Sequence, residues 1–201
     1  LLGEPMILRQ LERIQRASSI DLIVVATSED ASDDDLAVLL MDMGFAVVRG
    51  SLDDVLARFV RVIDEYEPHV VVRLTADCPL TSPAVIDDVV AEFLASGCDY
   101  VSNTLEPTYP DGVDVEVVRP SVLRWVMENS SDPHEHEHVT LGVYRRPETF
   151  AVRNFAGPRD LSNLRWTVDN ADDLAFVRAV YERLYPSNPE FELTDVLELL
   201  E

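Results

Sequence analysis

The sequence predicts an α/β fold, three-layered, in which helices cover both faces of a mainly parallel, mixed sheet. Two observations point there. Helical and extended patterns alternate almost from end to end, and two apolar runs, Val70-Val71-Val72-Arg73-Leu74-Thr75-Ala76-Asp77 and Leu164-Arg165-Trp166-Thr167-Val168-Asp169, each end on an aspartate. A buried strand ending on an acid delivers a carboxylate to the carboxyl edge of a sheet, where open α/β folds bind ligands.

Taken in order, Ile7, Leu11 and Ile14 share one face of a helix over residues 4–17, and residues 20–27 read as a buried strand. Ser32 followed by Asp35 has the spacing of a capping box, opening a helix that carries Leu36, Leu39, Leu40 and Met43 and stops near Gly44. Residues 45–49 form the next strand. Residues 53–66 are helical with Val55, Phe59, Val62 and Ile63 inward, and Pro68 ends that helix just before the strand from Val70. Ser82-Pro83 is a cap and first-turn pair for a helix to Ala95, and residues 99–103 are again a strand. Beyond Asn103 the rhythm changes. Strands are expected at 113–118 and 150–155, helices at 120–129, 171–185 and 193–200, and a polar connection at 130–138. No internal repeat or linker divides the chain, so residues 1–201 are expected to form a single domain.

Composition narrows the chemistry. Acidic residues number 38 against 16 basic ones, a formal net charge of -22, and every basic residue is arginine. Without lysine there is neither a P-loop nor a pyridoxal Schiff base. So acidic a surface repels nucleic acid backbones and anionic membranes, so neither is an expected partner. Lysine depletion with excess aspartate also suits a salt-rich cytoplasm. No apolar run approaches the ~20 residues of a membrane span, and Cys78 and Cys98 read as buried strand-end residues, so a reducing cytoplasm is the expected compartment.

Thr27, Arg49, Asp77 and Asn103 emerge at the carboxyl ends of the predicted strands, where the ligand is expected. Asp77 and Asp169 together could hold Mg²⁺, which favours one or two carboxylates plus substrate phosphate oxygens; each could equally be a helix cap or turn residue. In Tyr109-Pro110-Asp111-Gly112-Val113-Asp114-Val115-Glu116-Val117 the acids Asp114 and Glu116 fall on one face and three valines on the other. Such an acid pair suits sugar hydroxyls, or an exposed acidic edge. His134, His136 and His138 would share a face if extended, a zinc or copper pattern, or else belong to a solvated loop.

These blocks, together with Leu2-Gly3-Glu4-Pro5-Met6-Ile7, Ile23-Val24-Val25-Ala26-Thr27-Ser28, Arg49-Gly50-Ser51-Leu52-Asp53-Asp54-Val55-Leu56, Arg73-Leu74-Thr75-Ala76-Asp77-Cys78-Pro79-Leu80 and Glu137-His138-Val139-Thr140, resemble in order and spacing the cytidylyltransferases of the spore-coat-polysaccharide type, relatives of acylneuraminate cytidylyltransferase. The resemblance covers essentially the whole chain. It implies the nucleotide-diphospho-sugar transferase fold, Rossmann-like and of the type A glycosyltransferase kind. It also implies transfer of CMP from CTP to a sugar or sugar acid with release of pyrophosphate. It puts Mg²⁺ on Asp77 and Asp169 as the catalytic pair, the nucleotide against Thr27, Arg49, Arg73 and Thr75, and the substrate against Asn103, Tyr109, Gly112, Asp114 and Glu116. It further implies a homodimer through residues 120–144. Relatives begin with a strand and a basic, glycine-containing loop ahead of the Gly-x-Pro-Met block. Here that block follows Leu1 directly, so the domain is expected to lack its first strand and phosphate clamp. A nucleotide-sugar glycosyltransferase of the same fold and a non-catalytic nucleotide-sugar binding or scaffold domain are the alternatives.

Overall fold

The structure, a computed structural model, describes residues 1–201. Helix α1 (Met6–Ile14) buries Leu11 and Ile14 from the predicted apolar face. Strand β1 (Val24–Ser28) follows. The expected Ser32/Asp35 capping box does not form. Asp30 accepts the Ser32 N–H at the head of a 3₁₀ turn, and Asp33 is drawn back onto the Thr27 and Ser28 hydroxyls and the Ser28 N–H. Helix α2 (Asp34–Asp42) therefore opens without a side-chain cap. It buries Ala37 and Leu40, whereas Met43 lies past its end and is 57% exposed, contrary to expectation. Strand β2 (Ala46–Gly50) leads to helix α3 (Val55–Tyr66), whose first turn is capped by Asp54 through the Ala57 N–H and which buries Leu56 and Ile63. After strand β3 (Val71–Arg73), Ser82 accepts the Val85 N–H and Pro83 opens helix α4 (Pro83–Ser96), as the sequence predicts.

Strand β4 (Tyr100–Ser102) precedes a strand shorter than expected, β5 (Glu116–Val118). The reason is Asn103. Its amide donates to the Val113 carbonyl and its oxygen accepts the Val115 N–H, so a side chain stands in for the ladder over 113–115. Helix α5 (Pro120–Asn129) follows. Within the expected polar connection the chain forms a short helix, α6 (Pro133–Glu137), and a second, α7 (Leu141–Tyr144), follows it. Strand β6 (Val152–Asn154) and helices α8 (Ala171–Leu184) and α9 (Leu193–Leu200) complete the chain. Residues 164–169 are not a regular strand. One parallel bridge, Asp111 to Arg165, is all the ladder they make.

β1 and β2 pair in parallel as one sheet. The other runs β3-β5-β4-β6, with β5 antiparallel to both neighbours and β4 parallel to β6. A main core gathers Leu11, Ile86, Val89, Val115, Trp166 and Phe191, and a second gathers Leu56, Ile63, Leu123, Val126 and Phe150. Each such side chain contributes about 1.5–3 kcal/mol by burial. Between β1 and β3 runs an apolar groove of about 770 Å³, with Ile7 and Leu11 of α1, Val55 and Phe59 of α3 and Val90 of α4 among its walls. Neither facing edge has a partner strand.

The surface pairs, such as Arg61 with Glu29 and Arg124 with Asp64, are exposed and individually worth little. The net charge of -22 is what remains after every arginine is counted against an acid. If that charge is an adaptation to salt, the melting temperature should keep rising with KCl beyond ~1 M, where the Debye length has already fallen to ~3 Å. A melting temperature flat from low to multimolar KCl would reject the halophilic reading.

Candidate active site

Past β3 the chain continues through Leu74, Thr75 and Ala76 to Asp77, and here it meets the 165–169 segment. The Asp77 carbonyl accepts the Val168 N–H at 2.8 Å and the Thr167 hydroxyl at 3.4 Å. The two aspartates predicted from distant strand ends are thereby brought onto adjoining backbone. The Cys78 thiol donates to the Asp77 carboxylate at 3.3 Å. Burial pushes the Asp77 pKa up, but hydrogen bonds from Thr75 and Cys78 outweigh that and hold it below the usual value. Asp169 pairs with Arg165, which also holds Asp111 and Asp173. Two hard carboxylates on neighbouring segments, one of them held ionised by its own hydrogen bonds, fit a divalent cation of the magnesium type.

Gly112 makes this junction possible. Its φ is +103°, and a Cβ there would lie 2.5 Å from the Thr167 nitrogen and 2.6 Å from the Trp166 carbonyl carbon. No side chain fits, so the loop carrying Asp111 can press its carbonyl onto the Trp166 and Thr167 N–H groups. Tyr109 stacks on Phe155 with ring centroids 6.1 Å apart.

Beside this junction opens a polar cavity of about 320 Å³ lined by Arg73, Thr75, Thr104, Asp114, Glu116, His138, Thr140 and Tyr144. Four of the predicted residues, Arg73, Thr75, Asp114 and Glu116, therefore meet in one place. Glu116 is 7% exposed and spoken for: Oε1 accepts from the Tyr100 hydroxyl at 2.6 Å and from Thr140, and Oε2 from Arg73. Thr140 and Tyr100 were not singled out by the sequence. Val139, buried and β-branched yet at φ +51°, is the strained residue that turns His138 and Thr140 toward the cavity.

Thr27, Arg49 and Asn103 lie outside the cavity lining. Thr27 donates to Asp33, whose pKa falls to about 2 chiefly through the Ser28 and Thr27 hydroxyls. Arg49 is tied to the Ser28 and Asp30 carbonyls and to Asp34, and Asn103 is spent on its backbone clasp. The three-imidazole face does not exist. His136 bridges the Asp54 carboxylate at 2.9 Å and the Ser130 carbonyl at 3.0 Å, two acceptors that raise its pKa, the Ser130 bond contributing most. The donor atoms of exposed His134, Glu137 and His138 do lie within 4.8 Å of one another. No side chain of 120–144 is among the most exposed large apolar ones, which include Val38, Met41 and Leu94.

Asp114 is pushed up to about 6, first by burial and then by the charges of Asp111, Glu116 and Asp77, with Arg73 opposing. Its unfolded value is about 3.9. Below pH ~4 it is protonated in both states and costs nothing. Ionisation between ~4 and ~6 is harder in the folded state, so above that window it destabilises by up to about 3 kcal/mol. Asp114→Asn should therefore raise the melting temperature at pH 7.5 and leave it nearly unchanged at pH 4. Equal shifts at the two pH values would contradict this assignment.

Solved structures share the fold. A cytidylyltransferase from Leptospira borgpetersenii superimposes with a TM-score of 0.93 at 27% identity, covering 98% of this chain and 83% of that one. A CMP:2-keto-3-deoxy-manno-octonic acid synthetase complexed with CTP matches with a TM-score of 0.64 at 16% identity over 91% and 90% of the two chains, a likeness of fold alone. The fold is thus that of the nucleotide-diphospho-sugar transferases, and no helix is long and apolar enough to cross a membrane. The spore coat polysaccharide biosynthesis protein SpsF of Bacillus subtilis is 31% identical over 183 residues, 90% of this chain and 75% of that protein. With the cytidylyltransferase family model also matching residues 1–185, the chain belongs to the cytidylyltransferase family.

Proposed function

We propose that this enzyme transfers CMP from CTP to a hydroxyl of a sugar or sugar acid, releasing pyrophosphate, in the cytoplasmic assembly of a surface polysaccharide. The observation that carries the reading is the contact of Asp77 with the 167–169 segment beside a cavity rich in hydroxyls and charge. Asp77 and Asp169 would hold Mg²⁺, which when bound neutralises charge on the reacting phosphates. The chain's own residues supply the rest. Arg73 spends one guanidinium nitrogen on Glu116, and its others have no protein partner, leaving donors for the nucleotide. Thr104, Tyr144 and Asp114 offer hydrogen-bonding groups to sugar hydroxyls, while Glu116, already accepting from three side chains, fixes Arg73 and Thr140. Thr75 stands between the two groups, its hydroxyl 3.4 Å from the Cys78 sulfur. Thr27 and Arg49 fix the β1–β2 edge, and Tyr109 and Gly112 shape the loop over the junction.

The triphosphate also needs positive charge. We assign that to a β-strand and basic loop seated in the groove between β1 and β3, carried upstream of Leu1; the apolar walls and two unpaired edges support this. A homodimer through residues 120–144 belongs to the same reading. The test is pyrophosphate release from CTP and Mg²⁺ with a panel of neutral and carboxylated sugars, 3-deoxy-manno-octulosonate and N-acetylneuraminate included. It uses protein expressed with the codons upstream of Leu1. Release of nucleoside diphosphate from a nucleotide-sugar, with none of pyrophosphate from CTP, would reject the reading.

A further inference from the structure

Two acids line the polar cavity, and only one of them is free. Glu116 accepts from Tyr100, Thr140 and Arg73, and its charge is matched by the Arg73 guanidinium, which makes it a poor proton acceptor. Asp114, two residues earlier, has no protein donor on its carboxylate although it is largely withdrawn from water. Its direction is fixed from both sides. Val113 and Val115 are fully buried, and the Asn103 side chain clasps the Val113 carbonyl and the Val115 N–H at 2.8 Å each, so the backbone that carries Asp114 is pinned with its side chain on the cavity face. The charged groups facing it are Asp111, Glu116 and Asp77, with Arg73 the single cation, and His138 lines the same space. A half-buried carboxylate without a donor is costly to keep, and a ligand hydroxyl offsets that cost.

We propose that Asp114 is the proton acceptor of the transfer, a role that rests on the cytidylyl-transfer reading above. The attacking sugar hydroxyl gives its proton to a carboxylate oxygen of Asp114 as its own oxygen forms a bond to the α-phosphorus of CTP. The bond from that phosphorus to the bridging oxygen of the β-phosphate breaks, and pyrophosphate leaves with the electron pair. The proton then returns to solvent through the open mouth of the cavity. Asp114 thereby does the chemistry, while Glu116 holds the wall against which the sugar lies.

Removing the base while keeping the shape should show this. Asp114→Asn in the enzyme carrying its upstream residues, assayed with whichever sugar of the panel gives fastest pyrophosphate release, should lose at least ~100-fold in kcat. Its KM for sugar and its affinity for Mg-CTP should stay within a few-fold of the parent. Asp114→Ala should regain part of the lost turnover when formate is added, since a small carboxylate fits the vacated space, and Glu116→Gln should not respond to formate. A kcat for Asp114→Asn within tenfold of the parent, or a loss confined to the KM for sugar, would overturn the proposal and leave the cytidylyltransferase reading standing. A parent enzyme that releases no pyrophosphate from CTP with any sugar would instead remove that reading, and the proposal with it.

Discussion

Asp77→Asn should abolish magnesium-dependent CTP binding and lower turnover by roughly 10³-fold or more, with the fold unchanged. The fold survives because what Asp77 contributes to structure is its carbonyl, which receives the Val168 N–H and the Thr167 hydroxyl, and asparagine keeps that carbonyl. What it loses is charge. Hydroxyl and thiol hydrogen bonds keep the carboxylate ionised but no cationic side chain pairs with it, and a divalent cation is the partner best matched to it. Asp169→Asn should act in the same direction with a side effect: Arg165 loses one of three carboxylates but keeps Asp111 and Asp173, so the 165–173 turn stays closed. Calorimetric titration with Mg-CTP and with CTP in excess chelator separates metal-dependent from metal-independent affinity. Variants that bind Mg-CTP as tightly as the parent would remove both residues from the metal site.

That the segments ending on Asp77 and Asp169 meet was legible because an apolar run ending on an acid is a local pattern. The alternation of Val113, Val115 and Val117 with two acids was legible for the same reason, and all three valines are fully buried. The division of labour between the acids was not. Glu116 is fixed by donors from Arg73, Tyr100 and Thr140, which only the folded chain gathers. Asn103 read as a ligand residue at a strand end, yet its amide is consumed in replacing a ladder two strands would otherwise make. Residues 164–169 carried the extended pattern correctly, but periodicity reports backbone extension and not whether a neighbour's edge is present to pair with; here only Asp111 is. The shared face that the His-Glu alternation would make if extended does not form. After Pro133 and the Asp132 cap on the His134 N–H, the chain turns into a helix, which separates His136 from the other two imidazoles.

The groove gives the second large effect. Strands in a sheet lie ~4.8 Å apart, and β1 and β3 face each other across a cleft of about 770 Å³ with no strand between them. A cleft walled by Leu11, Val25, Phe59, Val72 and Leu74 leaves apolar surface wet. It also leaves two rows of backbone donors and acceptors unpaired by any ladder, both unfavourable for a sheet interior. One apolar strand satisfies both edges and joins the two sheets into one. The electrostatics ask for the same segment: a triphosphate and the protein's net charge of -22 repel, and Arg73, already paired with Glu116, cannot offset them alone. A basic loop leaving the strand would. Residues 1–201 by themselves should therefore release pyrophosphate from CTP at a rate indistinguishable from the uncatalysed background. Protein expressed with the codons upstream of Leu1 should be active and should melt at least ~10 °C higher, since several kcal/mol of apolar burial is gained. Substituting the basic residues of that loop by alanine should remove the activity and keep the thermal gain, because charge and strand pairing are separate contributions. Equal turnover with and without the upstream residues would show that the groove is not where the phosphate-binding segment docks, and a concentration-dependent activity of residues 1–201 would give the groove to a second copy of the chain instead.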